Sequence, residues 1–154
     1  MARVLLDLLY RLRCRLWRVF RWRTRGVKVM LFDEAGALLL IRNTYGRTDL
    51  FVLPGGGVHG FETPAAAAIR EVREELSCAV EDLVFVSTHV AAAEGKRDTV
   101  HLFRARPAGP VAADGIEVAE ARFFALDALP LTLSPATARR IDEHRGRRPV
   151  SEAW

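Results

Sequence analysis

The sequence is poor in cysteine and lysine and contains no long uninterrupted apolar run. Its 154 residues include only two cysteines, Cys14 and Cys78, and neither lies in a CxxC pair. This scarcity excludes a disulfide-stapled scaffold and a cysteine-based zinc site, and it favours a reduced, cytoplasmic location. A chain of this length can bury a core without disulfides, so we expect one domain with a short appendage.

Positive charge is concentrated at one end of the chain. Residues 1–25 contain eight arginines and one aspartate, a local charge of +7, whereas the whole chain carries +4, so residues 26–154 carry −3. A basic groove across the main domain is therefore excluded, and we expect no nucleic-acid partner. Apart from this asymmetry, 50% hydrophobic and 27% charged residues are typical of a globular protein and exclude fibrous and disordered classes.

The basic arm is predicted to contain an extra N-terminal amphipathic helix over residues 4–20. Arginines interrupt its apolar residues, which excludes a membrane-spanning helix and disfavours a secretory signal. Two interpretations stay open. The apolar stripe docks on the body or on a second subunit, giving a homodimer, or it binds the surface of an anionic membrane and makes the protein membrane-peripheral. The stripe consists of Leu5, Leu8, Leu9, Leu12, Leu16, Val19 and Phe20.

From residue 26 onward, short apolar runs alternate with turn residues, as is typical of strands. Two of these runs flank a turn at residues 33–36 and predict a hairpin. Thr63-Pro64 and Ser134-Pro135 each predict the start of a helix, with a hydroxyl cap followed by proline at the first helical position. The predicted strands are residues 27–32, 37–41, 50–53, 84–91, 99–105 and 121–125, and the two helices end near Leu76 and His144.

These elements predict the α/β (α+β) class, a mixed β-sheet with helices packed on its faces. We divide the chain into the arm at residues 1–25, a domain at residues 26–146 and a tail at residues 147–154. Residues 145–154 are expected to be loosely ordered.

Three glutamates on the first predicted helix carry the chemical signal. Glu71, Glu74 and Glu75 project together, beside a face expected to be buried, and like charges at this spacing repel. A hard divalent cation, Mg²⁺ or Mn²⁺, would offset that repulsion. The alternative is a solvated acidic helix face. The loop Gly55-Gly56-Gly57 directly precedes the helix and offers backbone that can approach a phosphate or donate a carbonyl to a metal. The face expected to be buried is Ala65, Ala68, Ile69, Val72 and Leu76.

The spacing of these residues resembles the signature of the Nudix hydrolases. Gly56, five residues, Glu62, seven residues and then Arg70-Glu71-Val72-Arg73-Glu74-Glu75 match the family pattern, with Ser77 in place of the usual glycine. The resemblance covers about residues 26–130. It implies a Nudix fold and cleavage of a nucleoside diphosphate linked to another group by attack of water at phosphorus.

The resemblance also implies roles for individual residues. Glu71, Glu74, Glu75 and the Gly55 carbonyl would bind Mg²⁺ or Mn²⁺ and Arg70 would hold the carboxylates by a salt bridge. Glu62 would belong to the same acidic site. The general base would be a motif glutamate or a carboxylate of a later loop, for which the candidates are Glu94, Asp98, Glu117 and Glu120.

Contacts to a small nucleotide substrate are predicted from the loops. The backbone of Gly56 and Gly57 and the side chain of His59 are candidates to contact phosphate. Tyr45, Arg47 and Phe51 are candidates to stack on a base or bind a phosphate. A different class of function, a nucleotide-binding sensor without catalysis, is kept as the alternative, supported only by Ser77.

Overall fold

In a computed structural model, residues 23–93 and 96–154 are described. The helix predicted over residues 4–20 and the candidate base Glu94 lie outside the described residues. The remainder folds into strands and two helices in the order β1 (Arg23–Leu31), β2 (Leu38–Asn43), α1 (Pro64–Leu76), β3 (Val80–Ala93), β4 (Lys96–Pro107), β5 (Val118–Phe124) and α2 (Pro135–His144).

The strands form two sheets. β1 and β4 are parallel and β3 is antiparallel to β4, giving the order β1-β4-β3, while β2 pairs with β5 antiparallel. The expected hairpin ladder between β1 and β2 is therefore wrong, although a turn does join them and Phe32 bridges Leu38. The free edge of β1 is taken by the glycine loop instead, since Val27 N–H donates to Gly56 O at 2.9 Å and Val29 N–H to Pro54 O at 3.0 Å.

The sheets lie between the two helices, which confirms the predicted class. One core joins α1 to the inward residues of β1, among them Val27 and Val29, and a second core contains Met30 of β1 and Ile141 of α2. Alternate residues of β1 thus face opposite layers, as the period of a strand requires.

Helix α1 begins and ends as its sequence predicts, but its buried face is rotated. Thr63 Oγ1 accepts the Ala66 N–H at 3.1 Å, and Ser77 at φ 52°, ψ 29° ends the helix in the left-handed region. Ile69, expected to be buried, is 46% exposed, whereas Glu71 and Glu75 are buried. The glycine loop packs on the glutamate side of the helix, where the Gly55 N–H donates to Glu75 and Arg70 donates to Glu71, and these hydrogen bonds make burial of the two carboxylates possible.

The C-terminal tail is ordered against β3, contrary to expectation. Val90 N–H donates to Glu152 O at 2.7 Å and Trp154 N–H donates to Val90 O at 3.0 Å, so the tail extends the edge of the sheet. Behind it, buried Arg140 pairs with Glu143 at 2.8 Å. A short segment with regular backbone pairing can dock in this way without any signal of its own in the sequence.

No helix among the described residues has the length and apolar character needed to cross a membrane.

Candidate active site

The glycine loop approaches β1 at Gly55, where a side chain is excluded, and approaches α1 at Gly56, where a side chain would have to displace Glu71. Gly55 has φ +124°, and a Cβ there would lie 2.3 Å from Val27 O. At Gly56 a Cβ would lie 2.7–2.8 Å from the carboxylate atoms of Glu71. The glycines therefore let the loop backbone lie directly against the face of α1 that carries Glu71, Glu74 and Glu75, called the acidic face below.

At one end of the acidic face, called the outer end, Arg70 forms hydrogen bonds with three carboxylates. Its guanidinium donates to Glu62 Oε1 at 2.9 Å, Glu71 Oε1 at 2.8 Å and Glu74 Oε2 at 2.9 Å, and also to Gly57 O at 2.9 Å. The Glu62 carboxylate also accepts the His59 N–H at 3.1 Å. The hydrogen bonds from Arg70 and the His59 backbone lower the pKa of Glu62 to about 2.

At the opposite end of the acidic face, called the inner end, the carboxylate of Glu75 is buried, and little in direct contact with it offsets the cost of burying its charge. Its Oε2 accepts the Gly55 N–H at 2.8 Å and the residue is 8% exposed. Burial raises the pKa of Glu75 to about 7; the charge of Lys28 and the Gly55 hydrogen bond oppose this rise, and the charges of Glu71 and Glu117 add to it.

Lys28 belongs to this inner end, and the sequence analysis missed it. Its ammonium donates to Gly55 O at 2.6 Å and to Leu53 O at 2.9 Å. Burial lowers the pKa of Lys28, while the charges of Glu75 and Glu71 act in the opposite direction. The available signal was a single charged residue within the apolar run of residues 27–32.

A loop before β5 brings one of the candidate bases to the inner end. Asp114, a second residue that the sequence analysis missed, accepts the N–H groups of Ile116 at 3.1 Å, Glu117 at 3.1 Å and Val118 at 2.8 Å. This local turn holds Glu117 where its charge acts on the pKa of Glu75. The Asp114-Gly115 pair is the turn signal that could have indicated it.

Two other candidate bases interact with residues that lie outside the acidic face. Glu120 forms a salt bridge with Arg42 on the neighbouring strand β2, and Asp98 accepts a hydrogen bond from Thr24. Among the candidate bases that the structure describes, Glu117 is thus the one that it connects to the motif glutamates.

The structure separates the candidate substrate contacts. Tyr45 lies beside the site, with its hydroxyl 3.5 Å from Glu117 Oε2. Arg47 pairs instead with Asp49 at 3.1 Å, and both side chains are exposed. Phe51 is buried and packs edge-to-face on Phe124 with ring centroids 5.0 Å apart, so it is wrong as a base-stacking residue.

The three candidates for phosphate contact, Gly56, Gly57 and His59, stay predictions. Gly57 and His59 are both exposed at the surface of the loop, Gly57 beside the Arg70 guanidinium.

The donor set suits a hard divalent cation, which prefers carboxylate and carbonyl oxygens. Glu71, Glu75 and the Gly55 carbonyl supply such oxygens from a buried position. Within residues 23–93 and 96–154, however, no three His, Cys, Asp or Glu side chains are grouped closely enough to hold a metal ion. The acceptors are held by the protein's own cations, Glu71 and Glu74 by Arg70 and the Gly55 carbonyl by Lys28.

Comparison with known proteins identifies relatives over most of the chain. The family model described as "NUDIX domain" matches residues 22–144. A protein of Bacillus subtilis (strain 168) named "Putative 8-oxo-dGTP diphosphatase" is 30% identical over 123 residues, 79% of this chain and 80% of that protein. The crystal structure of a MutT NUDIX hydrolase from Burkholderia pseudomallei is similar with a TM-score of 0.72 and 25% identity, covering 79% of this chain and 97% of that one. A MutT protein from Methanosarcina mazei Go1 has a TM-score of 0.65 and 23% identity, covering 83% and 96%.

Proposed function

The chain belongs to the Nudix hydrolase family, and from this premise we propose that it is a divalent-metal-dependent pyrophosphohydrolase acting on a nucleoside diphosphate linked to another group. One observation carries the proposal. Two carboxylates, Glu71 and Glu75, are buried side by side against a glycine loop, and the pKa of Glu75 is raised to about 7. Burying like charges destabilises the fold, and such arrangements are typical of sites that bind a cation.

We assign the cation to the buried oxygens. Glu71, Glu75 and the Gly55 carbonyl would hold Mg²⁺ or Mn²⁺, and Glu74, 56% exposed, would contribute by turning away from Arg70. A bound divalent ion supplies charge neutralisation on the phosphate oxygens and makes a water more acidic. Arg70 orients Glu71 and, together with Glu62, keeps the outer carboxylates in one arrangement.

We assign proton acceptance to Glu117. The Asp114 N–H donates to Glu75 O at 3.1 Å, which attaches this loop to α1, and the charge of Glu117 acts on the pKa of Glu75. In the proposed reaction Glu117 takes a proton from the attacking water as the water oxygen bonds to phosphorus. The bond from phosphorus to the bridging oxygen then breaks, and the departing phosphorylated half of the substrate keeps that oxygen.

The substrate proposal follows the relatives. The name of the Bacillus subtilis relative makes 8-oxo-dGTP the first compound to test, with a nucleoside monophosphate and pyrophosphate as products. Gly56, Gly57 and His59 would contact the phosphates from the loop, and Tyr45 would lie beside the nucleoside. Arg47 would contribute only if its ion pair with Asp49 opened.

The alternative of a non-catalytic sensor loses its support. It rested on Ser77, yet this serine adopts the left-handed conformation that glycine would, and its N–H donates to Arg73 O at 3.0 Å. The helix therefore ends as it would with glycine, and no proposed ligand is displaced.

The test is a hydrolysis screen with the wild-type chain and Glu75→Gln. Nucleoside triphosphates including 8-oxo-dGTP, dinucleoside polyphosphates, nucleotide sugars and ADP-ribose are incubated with Mg²⁺, Mn²⁺ or EDTA, and the products are separated by anion exchange. Metal-dependent turnover by the wild type that is lost in Glu75→Gln supports the proposal. Binding of nucleotides without any turnover would restore the sensor.

A further inference from the structure

The Lys28 ammonium occupies the Gly55 carbonyl, one of the oxygens that the proposed function assigns to the divalent cation. Lys28 lies in β1 between Val27 and Val29, which are both buried, and its side chain leaves the opposite face of the strand. Instead of extending into solvent, the ammonium ends between two backbone carbonyls, 2.6 Å from Gly55 O and 2.9 Å from Leu53 O.

Gly55 is consequently held at both of its polar groups. Its N–H donates to Glu75 at 2.8 Å and its carbonyl accepts from Lys28, so one glycine connects the buried carboxylate to the ammonium. Gly55 also lies close to β1, since a Cβ on this residue would lie 2.3 Å from Val27 O. The carbonyl is thus fixed in position while its partner is the end of a flexible side chain.

We propose that Lys28 is a built-in competitor for the divalent cation: its ammonium occupies the Gly55 carbonyl in the metal-free protein and has to leave it before a metal can bind there. This inference rests on the proposed function, which assigns the cation to Gly55, Glu71 and Glu75. Ammonium and metal require the same acceptor, and two positive charges at this distance repel each other. Lys28 therefore weakens metal binding, and when no metal is bound its charge only partly opposes the cost of burying Glu75.

The first test measures binding of Mn²⁺ alone, without nucleotide, by electron paramagnetic resonance of the free ion. Lys28→Met removes the charge and keeps the length of the side chain. We expect its Kd for Mn²⁺ to fall by at least about tenfold relative to the wild type, because the carbonyl is freed and one positive charge is removed. A merely structural role predicts the opposite, since a disturbed site binds metal less tightly.

Arg25→Met is the matched control. Arg25 lies on the same strand and donates to the carbonyl of Gly60 at 3.3 Å, in the segment between the glycine loop and α1. Arg25→Met also removes one positive charge from β1. We expect its Kd for Mn²⁺ to change by less than about twofold, because the charge of Arg25 is exposed and screened. Equal tightening in both variants would overturn the competition for the carbonyl and leave only a general charge effect.

A second measurement avoids substitution of Lys28. The chain has two lysines, Lys28 and Lys96, so a sample labelled with ¹⁵N-lysine gives two Nζ signals. Addition of Mg²⁺ is expected to shift the Lys28 signal as its ammonium leaves the carbonyl, with Lys96 as the reference. An unchanged Lys28 signal at saturating Mg²⁺ would overturn the inference.

The outcomes separate this inference from the proposed function. If neither the wild type nor Lys28→Met binds Mn²⁺, the proposed metal site is wrong and the competition fails with it. If the wild type binds Mn²⁺ in a manner that Glu75→Gln abolishes, but Lys28→Met binds equally or less tightly, only the inference is overturned.

Discussion

The two ends of the acidic face shift the pKa of a glutamate in opposite directions. At the outer end Glu62 has a pKa lowered to about 2, whereas at the inner end the pKa of Glu75 is raised to about 7. Each end has a basic residue close by, Arg70 at the outer end and Lys28 at the inner end. The presence of a cation therefore does not explain the difference.

The difference lies in where each cation directs its hydrogen bonds. Arg70 presents a planar fork whose N–H groups reach Glu62, Glu71 and Glu74 directly. The Lys28 ammonium donates to backbone carbonyls instead, so that Glu75 receives its charge only at a distance while losing its hydration. A direct guanidinium contact stabilises the ionised carboxylate, and a diverted ammonium does not offset burial.

The strongest test of this comparison is removal of the inner charge. Glu75→Gln keeps the size of the side chain and an acceptor for the Gly55 N–H, but removes the charge that a hard cation requires. We expect hydrolysis to fall by about 100-fold or more, because loss of a metal ligand removes several kcal/mol of transition-state stabilisation.

Steady-state rates at saturating Mg²⁺ check this expectation, with Glu74→Gln as the control at the outer end. Glu74 is exposed, so the loss there should be smaller. Retention of more than a tenth of the wild-type rate by Glu75→Gln would remove Glu75 from the site.

The second test uses pH on the metal-free protein. Between pH 4.5 and 7, folded Glu75 keeps a proton that the unfolded chain has lost, because its pKa rises from 4.5 to about 7 on folding. The contribution of this proton to the free energy of unfolding is complete below pH 4.5 and is lost as the pH rises through 7. The total loss is about 3 kcal/mol.

The outer end should respond in the opposite sense. The pKa of Glu62 falls from 4.5 to about 2 on folding, so its stabilisation is present above pH 4.5 and is lost as the pH falls toward 2. Urea unfolding from pH 3 to 8 in EDTA, on the wild type, Glu75→Gln and Glu62→Gln, separates the two ends. If Glu75→Gln left the decline between pH 4.5 and 7 unchanged, the assignment to the inner end would be wrong.

A third test changes the loop rather than a charge. In Gly56→Ala the new methyl group would lie 2.7–2.8 Å from the Glu71 carboxylate, which is the mobile end of its side chain and can move. We expect the fold to persist and activity to fall by about tenfold, since a displacement of about 1 Å in a site is costly.

Gly57→Ala is the control for this change, because nothing lies within 4 Å of a Cβ at that position. Melting temperature and the rate of hydrolysis are measured for both variants. Comparable losses of activity would mean that the loop, and not the position of Glu71, sets the rate.

The smallest expected effect concerns the end of the helix that carries both regions. Ser77 has φ 52°, a conformation in which glycine is favoured, so Ser77→Gly should stabilise the protein by up to ~1 kcal/mol. Activity should not change, since neither end of the acidic face is touched. Thermal unfolding measures the gain, and a lower melting temperature would contradict it.

Local signals in the chain were sufficient for the helices and for the motif. The pairs Thr63-Pro64 and Ser134-Pro135 mark the helix starts correctly, because a cap depends on atoms only a few residues away. The same holds for the carboxylate spacing on α1. Burial was predicted less well: a helical wheel placed Ile69 inside, whereas it is 46% exposed.

The sequence by itself thus determined the family, the mixed class and the line of glutamates along one helix, all of which depend on neighbours in the chain. Only the tertiary structure decided that β1 pairs with β4 and the glycine loop, that the tail docks on β3, and that Lys28 donates to Gly55. The reason is that strand pairing and the burial of charge depend on groups far apart in the sequence, whose partners are set only when the layers pack. The contrast between Glu62 and Glu75 arises at that step.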